Sequence, residues 1–96
     1  DQDKEVRSNA AWALGELAGL RIGDTASIEA LNALLTDEDG EVRGMAAWAL
    51  GRMAERMRIT SPASIPLLQA MRREGSESLR KGAEWSLERI ERIRAR

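Results

Sequence analysis

Residues 3–17, DKEVRSNAAWALGEL, recur as DGEVRGMAAWALGRM over residues 39–53 and, more loosely, as SESLRKGAEWSLERI over residues 76–90. Val6 to Val42 is a step of 36 residues and Val42 to Leu79 a step of 37; Trp12, Trp48 and Trp85, the only aromatic residues, keep the same steps. A second unit lies between the copies, SIEALNALL at 27–35 and SIPLLQAMR at 64–72, offset by 37. A period of this length built from two helical units marks a repeat of one A helix and one B helix. The sequence therefore predicts an all-α chain, an α-solenoid of about two and a half helical-hairpin repeats with five helices. The units run over about 1–23, 24–59 and 60–96 of a single domain.

Punctuation between the units agrees. Asp3, Asp39 and Ser76 each stand three residues before the first apolar position of a B helix, where a side-chain oxygen caps free backbone N–H groups. Asp24 or Thr25 caps the first A helix, and Thr60-Ser61-Pro62 opens the second. Pro66 is harmless in a first turn but costs about 3 kcal/mol further inside a helix, so that helix starts at Ser61 or Pro62. The predicted helices cover roughly 3–19, 25–36, 40–58, 62–74 and 77–94. The chain opens in a B helix with no A helix before it, so Val6, Leu14 and Leu17 are expected to lack part of their cover: either this is a piece of a longer array, or the first helix packs on something else. In the third copy Glu84 replaces Ala11 and Ala47, and Ser86 replaces Ala13 and Ala49, which predicts a polar capping repeat.

Composition excludes several function classes. With no His and no Cys, the chain lacks the commonest metal ligand, the commonest general base and all thiolate chemistry. The one dense acidic group, Asp37, Glu38, Asp39 and Glu41, occupies a helix start, where acids complement the dipole, and lacks calcium-loop spacing. No phosphate-binding loop or nucleophile elbow occurs, so neither enzyme activity nor a metal or cofactor is expected. No apolar run nears the ~20 residues of a membrane span, no signal peptide opens the chain, and a cytoplasmic protein is expected. Charge is uneven: ten acids and three bases over residues 1–41 give −7, and six acids and twelve bases over residues 42–96 give +6.

The pattern L-x-D-x-D-x-x-V-R-x-x-A-A-x-A-L-G from Leu35 through Gly51 resembles the HEAT-like repeats of the phycobilin-lyase type, and the likeness covers nearly the whole chain. It implies a superhelical scaffold and an acid six residues before the arginine, forming a ladder that links successive repeats. Carried onto this chain, the ladder pairs are Asp1 with Arg7, Asp37 with Arg43, and Glu74 with Arg80, the last with glutamate in place of aspartate.

Each residue of a helix turns about 100°, so Ala10, Ala13, Leu14 and Leu17 lie within roughly 80° of Val6, while Trp12 falls at about 240° from it. Asn9 and Glu16 flank Trp12; Met45 and Arg52 flank Trp48, and Arg89 flanks Trp85. Two readings follow for the tryptophans. Each ring is a wedge against the neighbouring B helix, beside Gly15, Gly51 or small residues such as Gly44 and Gly82. Alternatively, the row is a binding surface on the concave side, since Trp and Arg are enriched in interaction hot spots. The functional expectation is a non-catalytic scaffold that binds a protein or peptide through Trp12, Trp48, Trp85, Asn9, Glu16, Met45, Arg52 and Arg89. An accessory segment of a tetrapyrrole lyase, stacking a bilin-like chromophore on the row, is the alternative implied by the resemblance. Nucleic-acid binding by the arginine-rich C-terminal half comes third, because five glutamates interleave with the seven arginines of residues 72–96.

Overall fold

A computed structural model describes residues 3–74 and 76–95. Among them the chain forms α1 (Lys4–Gly19), α2 (Thr25–Leu34), α3 (Gly40–Arg52), α4 (Ser64–Arg73) and α5 (Glu77–Arg94), with a wider π turn, Met53–Met57, continuing α3. The expected caps are in place. Asp3 Oδ1 accepts from the Glu5 N–H, Asp39 Oδ1 from Glu41 and Val42, and Ser76 Oγ from Leu79. Asp24 caps α2 in a reciprocal box with Ser27. Helix α4 starts at Ser64 rather than Ser61 or Pro62. Ser61 Oγ takes the Ala63 N–H, and the Ser64 and Ile65 N–H groups reach back to the carbonyls of Ser61 and Pro62 in a tight turn. Pro66 is then the third residue of the helix, where its missing N–H leaves no helical bond unmade.

The B helices α1, α3 and α5 pack side by side, and the A helices α2 and α4 lie against α3 and α5. Helix α3 is the centre of the core. Val42, Ala46, Ala47, Ala49, Leu50, Met53 and Ala54 are all buried, joined by Ile28 and Leu31 of α2, Leu68 and Met71 of α4, and Leu87 and Ile90 of α5. The two A helices are tied by Ser64 Oγ donating to Asn32 Oδ1 at 2.6 Å, which satisfies a buried hydroxyl.

Small residues set how closely the B helices approach. Gly40, Gly44, Ala47 and Gly51 form one row on α3, and Leu79 of α5 rests against Gly40 and Gly44. The matching row on α5 is Glu77, Lys81, Glu84 and Glu88, all exposed, so α5 offers no comparable groove. Glu84 thus faces outward as expected. Ser86 does not: it is fully buried at the α3–α5 contact, close to Gly51, and its hydroxyl has no partner. It occupies the side of the helix that faces the preceding repeat, so it is a polar atom inside the core and no part of a polar cap. At the other end Val6 is 55% exposed, whereas its counterpart Val42 is fully buried, and Leu17 is also open while Leu14 packs on the core.

The ladder differs in register from the expected one. The Asp37 carboxylate takes Arg7 of the preceding B helix, with Arg7 Nε 2.6 Å from Oδ2 and a second guanidinium nitrogen 3.1 Å from Oδ1. Arg43, its expected partner, instead donates to the backbone carbonyls of Asp37 and Glu38. The corresponding second rung is open. Arg43 and Glu74 line a hollow of about 410 Å³, Arg43 Nε is buried without a partner, and among the described residues neither Glu74 nor Arg80 enters an ion pair. The Asp1–Arg7 pair lies outside the described residues. Lys4 adds a second tie between repeats, 3.6 Å from the Asp39 carboxylate.

Arg21 and Arg58 end the first two B helices with φ of 63° and 58°. This left-handed conformation costs a non-glycine residue roughly 1 kcal/mol.

Asp37 is held below its ordinary carboxylate pKa by the hydrogen bond from Arg7 and then by the Asp39 backbone N–H. Folding thus favours its ionised form. The stabilisation is fully present above the unfolded value, about 3.9, and is lost as the pH falls through the lower folded value. Thermal melts from neutral to acid pH should therefore show a steeper acid loss in the wild type than in Asp37→Asn. Identical slopes would remove Asp37 from the acid response.

Candidate functional site

The three tryptophans share one position in the repeat but not one environment. The Trp48 ring lies on Gly15 of α1, and the Trp85 ring lies on Gly51 of α3. A Cβ built at either glycine would overlap the ring it faces, so glycine is required there by close approach. These rings are wedges between successive B helices. Trp12 has no such seat: it is 49% exposed and belongs to the first B helix, with no described helix on that side. Gly44 meets Leu79 rather than a ring, and Gly82 meets nothing.

An arginine completes each wedge. The Arg89 guanidinium lies 3.9 Å from the Trp85 ring centroid and the Arg52 guanidinium 5.6 Å from that of Trp48, positions in which the cation meets the negative face of the ring. Both reach toward the preceding repeat: Arg52 lies across Gly19, and Arg89 sits 3.6 Å from the Glu55 carboxylate. Arg89 also donates to the Trp85 carbonyl at 3.1 Å and approaches Glu88 at 3.4 Å. The equivalent residue beside Trp12 is Glu16, an acid in place of the arginine.

What remains open is a hollow of about 430 Å³ lined by Trp12, Ala13, Glu16, Leu17, Gly19, Leu20 and Arg52, with more apolar than polar surface. Leu20 is 71% exposed, and Ile22, just beyond the C-terminal end of α1, is exposed as well. Of the expected contact residues, Trp12, Glu16 and Arg52 line this hollow. Asn9 is exposed, one turn away from Trp12. Met45 packs against the core, and Arg89 lies two B helices away. Leu17 and Leu20 were missed as contact residues. The wheel assigns Leu17 to the core stripe, whereas it is exposed in the structure; which helices pack on α1 is not written in the residues of α1 itself. The three rings are not equally open: Trp12 is exposed, and Trp48 and Trp85 are partly buried.

A family model described as HEAT repeats matches residues 1–88. No curated protein matches the chain. Among the described residues, no helix is long and apolar enough to cross a membrane.

The different seats predict different costs. Trp48→Ala opens a gap above Gly15 and should destabilise the fold by about 3 kcal/mol, the low end for a buried tryptophan. Trp12→Ala removes a half-exposed ring and should cost under about 1 kcal/mol. Chemical denaturation followed by circular dichroism measures both, and equal losses at the two positions would contradict the wedge assignment.

Proposed function

This chain belongs to the HEAT-repeat family, and from that premise we propose that it is a non-catalytic scaffold holding a protein or peptide partner on the tryptophan-bearing face of its B helices. HEAT repeats commonly serve as protein-interaction scaffolds. The observation that carries the reading here is the Trp12 hollow. Its apolar floor of Trp12, Leu17 and Leu20 is rimmed by one acid, Glu16, and one base, Arg52. A rigid aromatic group beside polar groups of both signs is how a binding site combines apolar anchoring with orientation. Trp48 and Trp85 act in this reading as supports: they fix the B helices that carry Arg52 and Arg89, and the partner touches Trp12 first.

Support for a non-catalytic role comes from chemistry. The chain has no His or Cys, and the shifted carboxylates, Asp37 and Asp39, are occupied by partners within the scaffold. For Asp39, burial opposes ionisation, and the Val42 and Glu41 backbone N–H groups together with Lys4 outweigh it.

Selection from a random peptide library on the folded protein tests the proposal. Selected peptides should share an apolar residue, protect tryptophan fluorescence from acrylamide quenching, and bind Trp12→Ala at least about tenfold more weakly, a change of about 1.4 kcal/mol. Peptides that bind the folded Trp12→Ala variant as tightly as the wild type would sink the assignment of the anchor.

A further inference from the structure

Three hollows lie along the C-terminal ends of α1, α3 and α5; the second and third share Glu55 and Arg58, and the first meets the second only where Arg56 reaches Gly19. The first is the Trp12 hollow, which ends at Gly19 and Arg52. Arg56 donates to the Gly19 carbonyl at 3.3 Å and lines the second, about 320 Å³, with Arg21, Glu55, Met57 and Arg58. Glu55 and Arg58 also line the third, about 180 Å³, with Arg89, Arg92 and Ile93. Six arginines therefore face one groove against two acids, Glu16 and Glu55.

Two of these arginines sit where backbone geometry favours glycine. Arg21 and Arg58 occupy the same position in successive repeats, and both have left-handed φ. Among the described residues neither side chain enters an ion pair. Backbone strain kept twice, at exposed residues with no internal charge partner, points to a use for the guanidinium outside the fold.

We propose that this groove binds an acidic segment of a partner protein, with carboxylates on the arginines and an adjoining apolar side chain in the Trp12 hollow. The apolar end rests on the scaffold reading above, whereas the arginine part stands independently of it. Neighbouring helices pack about 9 Å apart, so three span about 18 Å, the reach of roughly six extended residues. Guanidinium forks match planar carboxylates in two-point contacts, and every base lining the groove is an arginine. Protein is favoured over nucleic acid by the acids among the arginines. Glu55 pairs with Arg89, and Glu88 lies 3.4 Å from both Arg89 and Arg92. A phosphate backbone with a charge on every unit would meet these glutamates. A peptide can place its carboxylates around them.

The test uses a fluorescein-labelled peptide of alternating Asp and Glu residues ending in Leu, its Asn/Gln counterpart, and a single-stranded oligonucleotide of equal charge. Fluorescence polarisation reads binding at low and high salt. The acidic peptide should bind at least about tenfold more tightly than the amide peptide and weaken as salt rises. The double variant Arg21→Gly with Arg58→Gly relieves the strained backbone, so it should melt no lower than the wild type while binding the acidic peptide at least about tenfold more weakly. Equal affinity for the acidic and amide peptides, unchanged affinity in the double variant, or tighter binding of the oligonucleotide overturns the proposal. Loss of binding in Trp12→Ala alone, with the double variant unaffected, leaves the scaffold reading standing and removes the acidic segment. The reverse pattern keeps the arginine groove and removes the Trp12 anchor.

Discussion

The fold depends on a ring resting on a glycine. Trp48 covers Gly15 and Trp85 covers Gly51, and in each case the space of a single methyl group decides how near two B helices stand. That approach fixes much else. It brings Arg52 over Gly19 and Arg89 to Glu55, and it lines up the C-terminal ends of three B helices along one edge. Ala11, Ala46, Ala47 and Ala49 are also fully buried on α1 and α3, so small side chains share the interior with Ile28, Leu31, Leu50, Leu68, Leu87 and Ile90, and the core depends on close packing.

The same contact gives the chain a direction. Helices α1 and α3 each present a glycine seat to the B helix after them, and α3 and α5 each set a tryptophan on the B helix before them. Helix α1 has its Trp-bearing ridge uncovered, so Trp12 and Leu17 are exposed where Trp48 and Met53 are packed. Helix α5 carries Glu88 where Gly15 and Gly51 stand in α1 and α3, and a glutamate at the seat excludes a ring. The two ends of the described structure therefore differ in chemistry: apolar and open at α1, charged at α5.

Much of this was legible in the residues. The repeat, the five helices and four of the caps follow from self-comparison and from oxygen-bearing residues at fixed offsets, because both are local. What lies across a helix interface is not local. The wheel placed Trp12, Trp48 and Trp85 on one side of their own helices but carried no information about the glycine facing each ring. The family resemblance implied a pair of Asp37 with Arg43, yet the carboxylate meets Arg7, thirty residues away, and Arg43 turns to the carbonyls of Asp37 and Glu38. Ser86 reads as a surface residue by its polarity and is buried by its angle on α5.

A double-mutant cycle at Gly15 and Trp48 tests the central contact most directly, because the atoms nearest a Cβ built at Gly15 all belong to the Trp48 ring. Gly15→Ala alone should cost about 2 kcal/mol by overpacking. In a Trp48→Ala background the same change should be neutral or favourable, since alanine is the better helix former by up to about 1 kcal/mol. The account predicts a coupling of at least about 1.5 kcal/mol between the two sites; additivity within about 0.5 kcal/mol would show that the ring does not rest on the glycine.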